Sequence, residues 1–393
     1  MKKRILYYEI KKHLDHKNAL VITGMRQVGK TTLMKQIFDE LEIKAKLWFD
    51  LDNPLDQKVF ENVDYNNIYE DLLDISQTKE ADKLFVFIDE IQNFPAISKV
   101  IKYLIDYYGV KFIVTGSSSF YLKNLFPESL SGRKFLYQLN PMNFREYLYF
   151  LGFLELGEAT QNKFIPQKKS LFSYQKLIRE YKNYLRFGGF PEVVLTDDRS
   201  TKKQILKNIF ASFFEKDLQL LSDFKDIREL RDLILLLAPR VGSMMDISKL
   251  ASELKLHRPK IYAYLEFLQG VFFVKLLPKF SKSIDRSVAA GKKIYFSDTG
   301  ILNILGKVNE AQIFENAVLN QLYSYGELSF YNNRKQEIDF ILDKKIAFEV
   351  KLKGSLYDLN RLKKISQKLG IERNFLLTQE YQDHQEMIEA LFL

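Results

Sequence analysis

The string Gly24-Met25-Arg26-Gln27-Val28-Gly29-Lys30-Thr31 constrains this chain more than any other feature. It is a complete G-x-x-x-x-G-K-T sequence. The apolar, β-branched run Ala19-Leu20-Val21-Ile22-Thr23 precedes it, and a helical pattern with Leu33, Ile37 and Leu41 on one face follows. Strand, glycine-rich loop and helix stand in the order that a phosphate-binding loop demands. Gly24 and Gly29 allow backbone N–H groups to turn inward around phosphate oxygens, and the helix N-terminus adds its positive end. The loop predicts that Gly24, Met25, Arg26, Gln27, Val28, Gly29, Lys30, Thr31 and Thr32 cradle the phosphates of ATP. Lys30 would reach the β- and γ-phosphates, and the Thr31 hydroxyl would bind Mg²⁺.

A second element fits the first. Lys83-Leu84-Phe85-Val86-Phe87-Ile88 is a near-continuous apolar run that ends in Asp89-Glu90. A buried strand delivering two carboxylates at its C-terminal end is the Walker-B arrangement. Asp89 would hold the metal, and Glu90 would polarise the attacking water. Pro95 then opens a helix with Ile97, Val100, Ile101, Leu104 and Tyr108 on its apolar stripe. The next strand, residues 111–115, ends at Gly116-Ser117-Ser118-Ser119. A polar side chain here would lie between the loop and the Walker-B strand, where Thr115 or, preferably, Ser117 could sense the γ-phosphate. The alternative for Ser117 is to cap a helix over residues 120–125. Arg133, in Ser131-Gly132-Arg133-Lys134, precedes a last strand at 135–139. It suits an arginine finger acting in cis or in trans, or a plain surface ion pair. Alternating strands and helices from 19 to 140 imply a parallel sheet covered by helices on both faces.

Composition removes other classes. The 393 residues predict roughly two to three domains. Cysteine is absent, which excludes disulfides, Cys-ligated zinc, iron–sulfur clusters and thiol nucleophiles. Only four His are present, too few for a multi-His metal site. The basic start, Met1-Lys2-Lys3-Arg4, is followed by no apolar stretch of signal-peptide length, and no apolar run could cross a bilayer. A soluble, cytoplasmic protein without a membrane partner is expected. The net charge of +9 (59 − 50) is uneven. Residues 151–240 carry +4 (16 − 12) and residues 241–300 carry +5 (10 − 5), whereas residues 301–393 carry −1 (12 − 13). An anionic partner such as DNA would meet the middle of the chain, although an AT-rich genome also enriches Lys.

Helical periodicity dominates residues 141–240, which suits a lid over the nucleotide or bulk helical packing. Within 241–290, Asp246 caps a helix at 247–254, and a brief turn leads to Pro259 and a second helix reaching Gln269. A β-rich run over 271–277 follows. Two short helices, a turn and a strand describe a winged helix-turn-helix. Arg258, Lys260, Tyr262 and Tyr264 would then stand at the exposed start of the recognition helix, unless the module serves packing only.

The last ninety or so residues carry another constellation. Glu315 lies on a helix at 313–322. Residues 330–342 read as a hairpin with Asp339 on its second strand, and Ile346-Ala347-Phe348-Glu349-Val350-Lys351 reads as the next strand. Period-two alternation puts Glu349 and Lys351 on one face and Phe348 and Val350 on the other. Asp339 and Glu349 with Lys351 form the D-(x)n-E-x-K pattern of restriction-endonuclease-like folds, in which two carboxylates bind Mg²⁺ and the ammonium assists water. Glu315 upstream and a helix at 356–369 downstream complete the nuclease-like set.

Several of these motifs together resemble a known group. Thr23 to Thr32, Phe87-Ile88-Asp89-Glu90-Ile91-Gln92, Thr115-Gly116-Ser117-Ser118 and Ser131-Gly132-Arg133 look like the AAA-type ATPases of bacteria and archaea. Gly188-Gly189-Phe190-Pro191, Tyr295-Phe296-Ser297-Asp298-Thr299-Gly300, Glu337-Ile338-Asp339-Phe340 and Glu349-Val350-Lys351 look like their C-terminal domain of unknown function 4143. Met25 replaces the Pro common after the first loop glycine, which matters little where only backbone N–H groups are used. The resemblance implies an α/β chain with four parts. These are a P-loop AAA+ core with a parallel sheet (1–140), a helical lid or linker (141–240), a winged helix-turn-helix (241–290) and a PD-(D/E)xK nuclease-like α/β domain (291–393). The expected function is Mg²⁺-dependent ATP hydrolysis coupled to DNA, with a nuclease-like C-terminal domain. The alternative is a nucleotide-controlled switch or scaffold for a protein partner, with that domain inert. An Arg133 acting in trans would require a homo-oligomer.

Overall fold

Continuous apolar runs build the first sheet. Its strands are β1 (Ala19–Thr23), β2 (Lys46–Asp50), β3 (Phe85–Asp89), β4 (Lys111–Gly116) and β5 (Lys134–Gln138). The strands β1, β3 and β4 are buried along their whole length, as parallel strands between two helix layers must be. All five run parallel in the order β2-β3-β4-β1-β5. The strand β4 therefore inserts between β1 and β3, and the C-terminal ends of all three open side by side, where open α/β sheets bind ligands. Phe49, Val86, Ile88, Phe112 and Val114 form one core with Ile68 and Leu72 of helix Tyr65–Ser76 and with Ile101 and Leu104 of helix Ile97–Tyr108.

The computed structural model describes residues 2–78, 83–117, 132–160, 163–165, 168–217, 227–281, 291–333 and 336–393. The expected helix over 120–125, together with Ser131, lies outside the described residues. Two units cluster separately: Met1–Asn140 with Gly270–Phe272, and Pro141–Gln269 with Phe273–Leu393. Among the described residues no helix is long and apolar enough to cross a membrane.

Helices Phe144–Leu151, Leu171–Phe187, Arg199–Ser212 and Ile227–Leu237 occupy the stretch where helical periodicity prevails. Two motifs far apart in the chain meet in this second unit. The Gly189 N–H donates to Asp298 Oδ2 at 2.8 Å, and Asp298 Oδ1 accepts from Ile301 N at 3.0 Å, capping helix Thr299–Leu305. A Cβ on Gly188 would lie 2.2 Å from the Asp298 carboxylate, and one on Gly189 would lie 2.0 Å from the Met142 carbonyl. The Gly-Gly pair is thus demanded by close approach.

Helices Ile247–Leu254 and Arg258–Gly270 follow, and then β6 (Val274–Leu277) and β7 (Lys293–Phe296), paired antiparallel. The last sheet contains β8 (Leu328–Asn333), β9 (Gln336–Leu342), β10 (Ile346–Lys351), β11 (Arg373–Thr378) and β12 (Met387–Glu389), in the order β12-β11-β10-β9-β8. The strands β8, β9 and β10 are antiparallel, whereas β10, β11 and β12 are parallel. Helix Leu356–Leu369 connects β10 to β11, as a parallel crossover requires.

Burial pushes the Asp298 carboxyl from the ordinary 3.8 up to about 6, against the N–H bonds from Gly189 and Ile301 that lower it. The folded protein then holds this proton more tightly than the unfolded chain. Its contribution to stability is full below about pH 4 and is lost as pH rises through about 6. Denaturant unfolding at successive pH values should show a decline across that interval in the wild type and a flatter profile in Asp298→Asn. Equal slopes would refute the assignment.

Candidate functional site

The loop after β1 is shaped by three backbone positions at positive φ: Gly24 (φ 149°), Gln27 (φ 62°) and Gly29 (φ 95°). Gly29 then serves as N-cap of helix Lys30–Glu40. A Cβ on Gly24 would sit 2.1 Å from the Leu139 carbonyl oxygen, so the chain beyond β5 leaves room only for glycine. Met25 and Val28 are buried and anchor the loop in the core, while Gln27 is exposed. The Lys30 side chain is buried and folds back, its ammonium donating to the Gly24 and Met25 carbonyls at 3.0 and 2.9 Å. An incoming phosphate would replace those carbonyls as the partner of the ammonium. The Thr32 position lies in the first turn of the same helix, with Thr31.

The second strand brings the carboxylates. Asp89, at the end of β3, is 4% exposed. The Thr31 hydroxyl donates to Asp89 Oδ2 at 2.7 Å, and the Thr115 hydroxyl donates to Oδ1. Burial raises the Asp89 carboxyl above its ordinary range, while the Thr115 and Thr31 hydrogen bonds lower it. Two hard oxygen donors, the Thr31 hydroxyl and the Asp89 carboxylate, converge on one point, and such a pair fits Mg²⁺ held alongside phosphate oxygens.

Glu90 adopts φ 52°, ψ 50°, a conformation costly outside glycine, and its N–H donates to Thr115 Oγ1 at 3.2 Å. Its carboxylate accepts from Gln92 Nε2. Gln92 also donates to Ser117 Oγ at 3.1 Å and accepts the Ser117 N–H at 3.3 Å. Ser117 is 1% exposed and bonded to Gln92, just beyond β3, whereas Thr115 is the one that touches Asp89. Gln92 was not singled out by the sequence reading, although its place two residues after Glu90 offered a signal. Arg4 was also missed. It is 6% exposed and donates to the Val28 carbonyl at 2.6 Å and to the Asn140 carbonyl at 2.7 Å. Nothing in its local sequence marks it.

Arg133 requires a correction. The register pairs Lys134 with Ala19 and Gln138 with Thr23, so Arg133 stands at the far end of the sheet from the loop. Four strand residues separate those levels, roughly 13 Å, which is beyond an arginine side chain. Its Nε donates to Asp106 Oδ1 at 2.6 Å. A finger acting on the nucleotide of its own chain is excluded by this geometry.

At the helix pair, Arg258 and Tyr262 are exposed, and Arg258 donates to the Ser248 hydroxyl. Lys260 is ion-paired with Glu229. Tyr264, expected at the exposed start, is instead fully buried with its hydroxyl on Glu229 at 2.7 Å. Its spacing of three from Ile261 puts it on the apolar face.

In the C-terminal sheet, Asp339, Glu349 and Lys351 come together with Glu315. Asp339 Oδ2 accepts the Val350 N–H at 2.8 Å. Glu349 Oε1 is paired with Lys351 Nζ at 2.8 Å and with Arg361. Burial and the Asp339 charge push Glu349 up to about 7 against the pull of Lys351 and Arg361. Burial and Asp339 likewise raise Glu315 to about 7, opposed by Lys293. For Lys293 burial lowers the pKa, but the charges of Asp339 and Glu315 and the bond to Glu337 outweigh it, and the net shift is upward. The Asp339 and Glu349 carboxylates, expected to bind Mg²⁺, are engaged by protein cations, Glu349 by Lys351 and Arg361 and Asp339 by Lys293 at 3.9 Å. Among the described residues no group of three or more His, Asp or Glu is placed to hold a metal ion.

Gly24→Ala should force the Leu139 carbonyl aside and lower the unfolding free energy by more than about 2 kcal/mol. Thermal unfolding of the variant beside a Gly109→Ala control, whose new Cβ would meet nothing within 4 Å, separates steric clash from the cost of positive φ alone.

Three domain models match the chain. Residues 16–148 match an AAA domain, residues 178–312 a domain of unknown function (DUF8612), and residues 310–391 a domain of unknown function (DUF4143). An uncharacterized protein of Methanocaldococcus jannaschii is 29% identical over 358 residues, covering 87% of this chain and 76% of that protein. One of Haemophilus influenzae is 27% identical over 352 residues, covering 84% and 82%. The crystal structure of Cdc6p from Pyrobaculum aerophilum shares 13% identity at a TM-score of 0.30, over 80% of this chain and 92% of that one. A likeness at that level carries no functional argument. The domain matches coincide with the phosphate loop and with the C-terminal carboxylate strands, and the chain resembles AAA-domain proteins that also carry the domain of unknown function 4143.

Proposed function

We propose that this chain binds and hydrolyses ATP at the β1, β3 and β4 strand ends and that nucleotide turnover controls its grip on DNA. The observation that carries the first half is the shared Asp89 carboxylate, joined at once to Thr31 of the phosphate loop and Thr115 of β4. In this reading the loop N–H groups from Gly24 to Thr32 and the Lys30 ammonium hold the phosphates. Thr31 and Asp89 would hold Mg²⁺, which neutralises charge on the β- and γ-phosphates. Glu90 orients the attacking water and accepts its proton. Thr115 fixes the Glu90 backbone, and Gln92 with Ser117 fixes its carboxylate. Since Arg133 cannot reach its own nucleotide, any role it has in catalysis is to a neighbouring copy in a homo-oligomer.

The DNA half is supported by the basic excess of residues 241–300 and by exposed Lys249, Lys255, Arg258 and Tyr262 around the two helices, which with the β6–β7 hairpin read as a winged helix. Lys260 contributes less, its charge being matched by Glu229. A second reading, a nucleotide-controlled switch for a protein partner with an inert nuclease-like domain, is favoured by the internal pairing of Glu349 with Lys351 and Arg361. Both readings place the protein in the cytoplasm.

Lys30→Ala and Glu90→Gln should each lower Mg²⁺-dependent ATP turnover at least about 100-fold, with Glu90→Gln still binding nucleotide. Phosphate release and nucleotide titration check both, and turnover surviving in the two variants would refute the site. DNA affinity should fall steeply with salt, and Arg258→Ala should reduce the salt slope by about one. A salt-independent or absent complex would favour the protein-partner reading instead.

A further inference from the structure

The carboxylate cluster of the C-terminal sheet has a cation built into it. Lys293 enters from β7 and is 3% exposed. Its ammonium lies 2.7 Å from Glu337 Oε1, 3.8 Å from Glu315 Oε1 and 3.9 Å from Asp339 Oδ1. These acids come from two separate elements, helix Glu310–Leu322 and strand β9. Bringing such carboxylates together costs mutual repulsion, and a divalent ion is one way to relieve it. Here an ammonium relieves it.

Further partners surround the same carboxylates. Tyr295, two residues along β7, donates its hydroxyl to Glu315 Oε1 at 2.7 Å. Asp339 Oδ2 takes the Val350 N–H, and Glu349 is held by Lys351 and Arg361. Four carboxylates (Glu315, Glu337, Asp339, Glu349) face three cations (Lys293, Lys351, Arg361), a formal balance of −1. A metal ion entering this cluster would have to eject a buried ammonium and then sit beside two further cations, which raises its cost on both counts.

We propose that Lys293 is the resident cation of this cluster: it stands beside Asp339 and Glu315, two acids of the nuclease-like set, it fastens β7 to β9 and to helix Glu310–Leu322, and it keeps divalent ions out. The cluster is a latch between the β6–β7 hairpin and the C-terminal sheet. This inference does not depend on the nucleotide reading, because it concerns residues outside the phosphate loop.

The test uses the full chain without nucleotide and Mn²⁺ as the probe, followed by electron paramagnetic resonance. The wild type should show no Mn²⁺ binding that depends on Asp339. Lys293→Met and the milder Lys293→Gln should each gain one Mn²⁺ site, which a second substitution, Asp339→Asn, removes. Lys293→Arg should stay metal-free. Wild-type binding that is lost in Asp339→Asn overturns the proposal, and so does a folded Lys293→Gln that gains no site. Amine acetylation of the wild type provides a measurement that needs no variant. Lys293 should stay protected at millimolar Mn²⁺, whereas Mn²⁺-dependent labelling would show that the metal displaces it and would equally overturn the proposal.

Discussion

Asp89 accepts a hydroxyl hydrogen bond from Thr31 on one side and from Thr115 on the other, fastening the phosphate loop, β3 and β4 at their shared end. Burial makes the bare carboxylate costly, and these two donors offset part of that cost. The rest of the site follows from this arrangement. Thr115 also receives the Glu90 N–H, and Glu90, turned into a left-handed conformation, directs its carboxylate to Gln92. Sheet order makes the arrangement geometrically available, because β4 lies between the two strands that carry the loop and the acid.

The two units solve the problem of buried charge differently. In the first, Lys111 opens β4 at 1% exposure and donates to three backbone carbonyls, His13, His16 and Asn18, at 3.1, 2.5 and 2.7 Å. Burial lowers its pKa to about 8, since carbonyl dipoles replace water only in part. In the second unit, Lys293 faces the carboxylates of Glu337, Asp339 and Glu315, which outweigh its burial and shift its pKa upward. Dipoles suffice to place a lysine, but whole charges are needed to fix one as a permanent ion.

Sequence disclosed the features that are local. The phosphate loop, the Walker-B strand and the Glu349–Lys351 face each occupy a few consecutive residues whose periodicity and chemistry agree. Helices Ile247–Leu254 and Leu356–Leu369 begin and end where their caps and apolar stripes require. Features that depend on distant pairing were hidden. Arg133 sits in a plausible motif, yet only the register with Ala19 reveals which end of the sheet it occupies. Lys293 is one lysine among many until β7 is set against β9. Tyr264 is legible in the sequence as buried, since its spacing from Ile261 and Leu268 marks the apolar face.

Arg4 ties the carbonyl of Val28 in the phosphate loop to that of Asn140, just beyond β5, through one guanidinium. The phosphate loop is thereby anchored by a side chain that precedes every recognisable motif. Shortened amino-terminal variants that lose Arg4 would slacken the loop without altering any of its own residues. Weak nucleotide capture by such preparations would then report lost mechanical bracing.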